Sequence, residues 1–346
     1  MDIETKMDLV KKSPTEEVIT DDDLKEVFEN YAHPKHYIGF EISGMVHLGS
    51  GLCTAVKVKD LLKAGCKSTI WLADYHSWIN GKLGGDLEQI RKIGLGYFKH
   101  AFMSLGLEKV EYKLASEEYG PEYWADVLRI SKDTTIKRML RCTTIMGRKQ
   151  SDSLSCAAVV YPPMQAADVF LLDVQIAHAG MDQRNVHMLA REFSDKFKKK
   201  FASVHHHLLP GLKGGERMDP MEMKMSKSKP DSAIFIHDSE DEIKSKIKKA
   251  FCPEKQVEGN PIAEIAIYLI LRDKPLKIER PDKFGGDAEF KDQQEFKSVY
   301  EKGELHPMDL KNVVTNELIE MLKPSREYFS KNKEYLEQLT NLKITR

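Results

Sequence analysis

The chain has no apolar run as long as a bilayer-crossing helix needs, about 18 residues, so no membrane span is expected. Cysteine is sparse: five in 346 residues, at positions 53, 66, 142, 156 and 252, with no Cys-x-x-Cys pair. That usage offers neither a disulfide framework nor a zinc site, and it predicts free thiols in a reducing, cytoplasmic setting. Repeats and low-complexity segments are missing. The opening Met1-Asp2-Ile3-Glu4-Thr5-Lys6 lacks the basic-then-apolar order of a secretory signal. Charge of one sign is also lacking, since 53 basic and 54 acidic residues leave a net −1. On totals that argues against an RNA partner, but local patches set the field at a phosphate-binding surface. Lys196, Lys198, Lys199 and Lys200 form one patch; Lys244, Lys246, Lys248 and Lys249 form another. Each reads equally as a solvated helix face. What is present is material for a core: 41% hydrophobic residues, in a length that suits two domains or one with an appendage.

Periodicity predicts a helix over 21–32, a strand over 35–40, a helix over 52–63 and a strand over 68–73. Strand, helix, strand within so short a span is a βαβ unit, which implies a parallel sheet covered by helices. Further helices are expected over 87–104 and 121–145, a strand over 174–179 and a helix over 185–193. Residues 1–20 show no clear period and are expected to be mobile. Ser239 followed by Glu242 has capping-box spacing and opens a helix with lysines in its last turn. Beyond it the pattern is helical, over 261–271, 309–323 and 326–339. The expected architecture is therefore an α/β domain on a parallel sheet, followed by a helical C-terminal domain. The boundary between them is expected near 215–240.

Two short motifs carry phosphate chemistry. His47-Leu48-Gly49-Ser50 follows the first strand, where an imidazole can donate to an anion and Gly49 lets a nucleotide approach the backbone. Lys224-Met225-Ser226-Lys227-Ser228 is a lysine-rich loop that can close on a triphosphate. Between them, Tyr161, Gln165 and Asp168 share one helical face, with Pro162 and Pro163 suited to that helix's first turn. On spacing alone they are either a pocket face or a surface stripe. Tyr37, Gly39 and Glu41 alternate along the first strand, and Gln183 sits in a turn after a later one. The run His205-His206-His207 invites a metal reading, but consecutive residues do not face one point, and no metal site is expected there.

The two motifs, in this order, resemble the paired ATP signatures of class I aminoacyl-tRNA synthetases. With the intervening constellation, residues 31–325 are similar to tyrosyl-tRNA synthetases of the archaeal and eukaryotic type. One departure is Ser50, where that family often has His or Asn. The resemblance implies an α/β, doubly wound, Rossmann-like parallel-sheet domain with a helical insertion, plus a C-terminal helical domain. It implies that the chain activates L-tyrosine with ATP, carried with Mg2+ as substrate, and passes it to tRNA(Tyr). It implies His47, Lys224 and Lys227 as catalytic, with Gly49, Ser50, Met225, Ser226 and Ser228 lining the ATP site. Tyr37 and Asp168 would read the phenol. Tyr161, Gln165 and Gln183, with Glu41 nearby, would hold the amino end, and His76 would flank the pocket. The order Ser116-Glu117-Glu118-Tyr119 differs from the family's, so it carries no role. Arg184 would meet the acceptor stem, and Phe284, His306 and Asp309 the anticodon. From the residues alone, Phe284 reads equally as core and Asp309 as a helix cap. The implied domains are an N-terminal extension and helix at 1–30, the catalytic domain at 31–217, a loop and linker at 218–238, and an anticodon-binding helical domain at 239–346. A homodimer is implied as well. Rival readings are a tryptophan-specific relative, a catalytically silent RNA-binding paralogue, and a nucleotidyltransferase of the same superfamily.

Overall fold

The structure, a computed structural model, describes residues 1–147, 153–214, 225 and 230–339. Six strands form one sheet: β1 (Thr15–Ile19), β2 (Lys35–Phe40), β3 (Lys67–Leu72), β4 (Glu111–Leu114), β5 (Ile176–Gly180) and β6 (Ala202–His206). Their order is β1-β6-β5-β2-β3-β4, with all neighbours parallel except β1, which lies antiparallel on β6 at the edge. The chain builds outward from β2 to β4, then returns to β2's other side with β5. That reversal opens a crevice beyond the carboxyl ends of β2 and β5, where ligands bind in doubly wound sheets. The expected α/β architecture with a helical insertion is the one observed.

Alternation along the strands divides the interior. Ile38, Ile70 and Leu72 face an apolar cluster that continues through Ile234 and Ile236 to Leu318 and Phe329 of the C-terminal helices. Tyr37, Trp71 and Ala177 face a second cluster with the helices of the insertion. Polar groups are buried too. His36 Nδ1 lies 3.0 Å from Ser68 Oγ, and its Nε2 lies 3.2 Å from His178 Nδ1. His178 Nε2 lies 2.9 Å from His206 Nδ1, so three imidazoles cross β2, β5 and β6 in series. Burial lowers the His36 ring to about 3, and also holds His178 well below its ordinary value.

Several expectations need correction. Residues 1–20 form the helix Ile3–Lys11 and β1, and Val10 is fully buried. Their anchor is ionic. Lys57 Nζ donates to the carbonyls of Leu9, Val10 and Lys12 at 3.0, 3.0 and 2.6 Å, and lies 3.3 Å from Asp60. Arg272 bonds the same Asp60 carboxylate and donates from Nε to Ser13 O at 2.7 Å. The segment buries side chains as well: Ile3, Met7, Leu9, Val10 and Val18 pack with Leu24, Val27 and Phe28, an apolar pattern too short to announce itself.

The helix expected over 87–104 is three pieces, Leu87–Ile93, a π-type Gly94–Phe98 and Lys99–Ser104. Gly96 leaves the helical region there, and the Tyr97 N–H goes instead to Gln338 Oε1 at 3.0 Å. The helix expected over 121–145 ends at Lys132 and restarts at Ile136 with Thr135 as its cap. By contrast, the two helices expected over 309–339 begin as one, Pro307–Lys331, which runs through Pro324. Arg326 donates to Ile319 O at 2.7 Å, supplying a donor to a carbonyl near the proline. The C-terminal part also holds an antiparallel pair, β7 (Leu276–Ile278) with β8 (Ala288–Phe290). The capping box at Ser239 and Glu242 is present as expected. Among the described residues no helix is long and apolar enough to cross a membrane.

Candidate active site

The helix Cys156–Leu171 carries most of the site. Ser155 caps it, accepting from the Ala158 N–H at 3.3 Å. Pro162 and Pro163 therefore lie two turns in, not in the first turn as expected. Tyr161, Gln165 and Asp168 do share a face, and that face points inward: Tyr161 and Asp168 are buried and Gln165 is half-buried. The surface-stripe reading is thereby excluded. Seven residues of helix separate Tyr161 from Asp168 by about 10 Å along the axis.

At the deep end, Asp168 is almost fully buried. Tyr119 donates to Oδ1 at 2.8 Å and Trp71 Nε1 to Oδ2 at 3.1 Å. Burial pushes the carboxyl up to about 8, against the pull of hydrogen bonds from Tyr119, Tyr123 and Trp71. The Tyr37 hydroxyl is also raised, first by burial and then by the Asp168 charge. His76 Nε2 stops 3.9 Å from Oδ2, and among the described residues neither ring nitrogen finds a hydrogen-bond partner although both are buried. Burial lowers that ring to about 3, so it is neutral, with its edge against Tyr161. Gly39 is exposed in the middle of a central strand, between Tyr37 and Glu41 on the same side. A Cβ there would lie 3.6 Å from Trp71 and 3.8 Å from Tyr37, so glycine keeps the floor of the crevice open.

Glu41 anchors the other end. Its Oε1 accepts from Tyr161 OH at 2.9 Å and from Asn80 Nδ2 at 2.7 Å, and Lys82 Nζ lies 3.4 Å from Oε2. Burial, then Glu41, holds the Tyr161 phenol well above its ordinary value, so it stays a donor. Gln165 donates to Gln183 Oε1 at 3.1 Å, and Gln183 in turn donates to Ile145 O at 3.0 Å. The cleft is thus acceptor-rich at one end and carries a carboxyl–phenol cluster at the other. Such a shape fits a zwitterionic amino acid with a polar ring substituent.

Beside it, the His47 motif turns into a helix that starts with the π-type segment Gly49–Cys53. Ser50 N–H approaches His47 Nδ1 at 3.4 Å while the His47 N–H approaches Ser50 Oγ at 3.3 Å. Ser50 therefore braces the imidazole from below. A Cβ at Gly49 would meet His47 Cε1 at 3.3 Å, which explains the glycine. Met225 is buried, its N–H bonded to Leu209 O at 2.9 Å. Lys224, Ser226, Lys227 and Ser228 lie outside the described residues.

Trp71, Tyr119, Asn80 and Lys82 were not anticipated. Trp71 was within reach, since strand alternation puts it on Tyr37's face. The other three follow turns and leave no periodic signal. The three consecutive histidines diverge, as expected. His206 joins the series across the sheet, and His205 meets Glu17 and His187. His207 lies between Glu16 and Glu264, and those two carboxylates raise it to about 9 against the effect of burial.

Arg184 is exposed at the first turn of Arg184–Glu192, next to Gln183. Far from it in sequence, Phe284 ends the short turn Asp282–Phe284. His306, not Asp309, caps Pro307–Lys331, with Nδ1 accepting from the Met308 N–H at 3.1 Å. Asp309 sits in that helix's first turn, half-buried.

Residues 29–323 match the family model described as tRNA synthetases class I (W and Y). The tyrosine–tRNA ligase of Thermococcus gammatolerans is 49% identical, over all of both chains. That of Pyrococcus abyssi is likewise 49% identical over full length. Among solved structures, the tyrosyl-tRNA synthetase of Pyrococcus horikoshii complexed with L-tyrosine is 46% identical. It superposes with a TM-score of 0.92, covering 99% of this chain and 100% of that one. A tryptophanyl-tRNA synthetase from Aeropyrum pernix, 20% identical with a TM-score of 0.68 over 94% of this chain and 85% of its own, shares the fold.

Proposed function

Because the chain belongs to the class I tRNA synthetases of the tryptophan and tyrosine group, we propose that it acts as a tyrosine–tRNA ligase. It activates L-tyrosine with ATP to tyrosyl-adenylate, then transfers the tyrosyl group to the 3′ adenosine of tRNA(Tyr). The observation that carries the reading is the buried Asp168, with Tyr37, Trp71 and Tyr119 gathered round it, at the far end of a cleft that begins at Glu41. Phenylalanine would leave that end unpaired, whereas a phenol can both donate and accept there. Tyrosyl-tRNA synthetase is a standard illustration of such discrimination.

In the first step a carboxylate oxygen of tyrosine attacks the α-phosphorus of ATP, the bond to the bridging oxygen breaks, and pyrophosphate leaves. His47, Gly49 and Ser50 form the phosphate side of the proposed ATP site, joined by Lys224, Met225, Ser226, Lys227 and Ser228 of the second motif, of which Met225 bonds Leu209 O. Those lysines neutralise charge that builds on the phosphoryl oxygens, and Mg2+ arrives with the nucleotide as part of the substrate. Tyr161, Gln165, Gln183 and Glu41 hold the ammonium group, and neutral His76 lines the ring's path. In the second step a ribose hydroxyl of the terminal adenosine attacks the acyl carbon and AMP leaves.

Functionally we divide the chain as the sequence suggests. Residues 31–217 with the loop at 218–238 activate tyrosine, residues 239–346 read the anticodon through Phe284, His306 and Asp309, and residues 1–30 cover the sheet edge. Arg184, beside the pocket, faces the acceptor end. Self-association into a dimer is supported by Trp124, Leu128, Ile136 and Val160, exposed on three helices of the insertion that pack together. Five free cysteines support a cytoplasmic setting.

The test is tyrosine-dependent ATP–pyrophosphate exchange with phenylalanine and tryptophan as controls. Exchange with tyrosine alone is expected. Exchange with tryptophan would establish the tryptophan-specific alternative, and none with any amino acid in folded protein would establish the silent RNA-binding one.

A further inference from the structure

Arg184 is held at one edge only. Glu17 of β1 takes its Nε with both carboxylate oxygens, each at 2.9 Å. Among the described residues Nη1 and Nη2 make no hydrogen bond, and the side chain is 44% exposed. Glu17 is itself fixed. His205 Nδ1 lies 2.9 Å from its Oε2, and His205 Nε2 lies 3.0 Å from His187 Nδ1. His187 follows Arg184 by one turn in the same helix, so the circuit from arginine to carboxylate to two buried imidazoles closes on the element it started from. An arginine in the first turn of a helix opposes the macrodipole, and without a carboxylate beside it the guanidinium has reason to swing away. With Nε clamped, the planar fork is fixed and its two outer donors point outward. That is the geometry that receives a phosphate or a base edge in two parallel hydrogen bonds.

We propose that Glu17 is a positioning residue for Arg184, orienting its guanidinium toward the acceptor end of the RNA substrate. This rests on the reading of the chain as a tyrosine–tRNA ligase and gives the N-terminal segment a part in the second step. Glu17 touches no reactant and acts through Arg184 alone. Losing the clamp costs the arginine its orientation but leaves the amino-acid cleft intact, because Gln183 is held separately by Gln165 and Ile145.

The experiment uses the full chain with Glu17→Gln, Arg184→Ala and the double variant, measured by pyrophosphate exchange and by charging of tRNA(Tyr). Glu17→Gln keeps the side chain's size and an acceptor for His205. Glu17→Ala is run beside it, in case the amide oxygen still holds Nε. The glutamate variants should leave exchange unchanged and raise the KM for RNA about tenfold, with a smaller effect on kcat. In the double variant, loss of Glu17 should add nothing to the loss from Arg184→Ala, since both act through one group. Additive losses, or exchange falling as far as charging, would overturn the proposal and leave Glu17 a purely structural residue. Normal charging by Arg184→Ala would remove the RNA role of Arg184 and the proposal with it. A parent protein inactive in exchange would instead overturn the ligase reading.

Discussion

Two polar clusters are buried on opposite faces of one sheet, and they differ in what they leave unpaired. On one face, Ser68, His36, His178 and His206 are bonded in series across β3, β2, β5 and β6. On the other, Asp168 draws donors from Trp71 and Tyr119, yet both nitrogens of the neighbouring His76 go without a partner among the described residues, and the strand beneath is open at Gly39. The first cluster spends its hydrogen-bonding capacity on the fold. The second holds some in reserve, which is what a binding site must do. Their proton linkage has opposite signs as well. Histidines held neutral lose stability in acid, whereas a carboxyl held protonated loses it in base.

The largest expected effect tests the histidine side. The unfolded rings take up protons near 6.5, whereas His36 is held to about 3 and His206 to about 4, with His178 well below its ordinary value. Folded-state values below unfolded ones mean that stability is full above pH 6.5 and is lost as pH falls through that window. At pH 5 each ring that stays neutral costs about 2 kcal/mol, enough for several together to unfold a typical domain. Thermal melts at pH 7 and pH 5 check this, and an unchanged midpoint would contradict it.

Next comes the substrate side. Asp168→Asn should cut kcat/KM for tyrosine in pyrophosphate exchange about a hundredfold or more, because the amide sets an N–H group against the Tyr119 or Trp71 donor where a carboxyl oxygen accepts. Its folded-state value of about 8 lies above the unfolded one, so its stabilising contribution fades as pH rises toward 8. The asparagine variant should therefore melt no lower than the parent at pH 8. A lower midpoint there would place Asp168 with the fold-serving cluster. His178→Ala is the converse, expected to lose about 2–4 kcal/mol of stability through a cavity and two broken bonds, with exchange per folded molecule unchanged. The smallest effect is expected away from both clusters. Asp309→Ala should weaken charging by about tenfold at most, with exchange intact. Loss of both would make Asp309 structural.

Legibility in the sequence followed the same division. β2 was readable to the residue, because a short run with aromatic and β-branched residues between turns is a strong signal, and Tyr161, Gln165 and Asp168 announced a shared face through helical spacing. β6 was not readable: Ala-Ser-Val-His-His is polar by composition yet wholly buried, and its histidines find their partners in Glu17, His178 and His187, which no local pattern of the strand announces. Tyr119 was passed over for a similar reason. Its role depends on Asp168, 49 residues on, and no local pattern encodes a partner at that distance. Pro324 misled in the other direction, since a proline usually stops a helix and here the helix absorbs it.

The ionic knot under the N-terminal helix has a consequence for how the molecule comes into being. Residues 9–13 lie over Lys57, and they are closed in place by Arg272, with Lys12 paired to Asp273 at 2.7 Å. The ribosome makes Ser13 some 260 positions before it makes the arginine that closes on it, a gap of 259 between Ser13 and Arg272. Lys57 and the strand β6 that β1 pairs with are both made in between, so they can hold the segment first. Arg272 is then the latch, added after the parts it fastens are already in the cell.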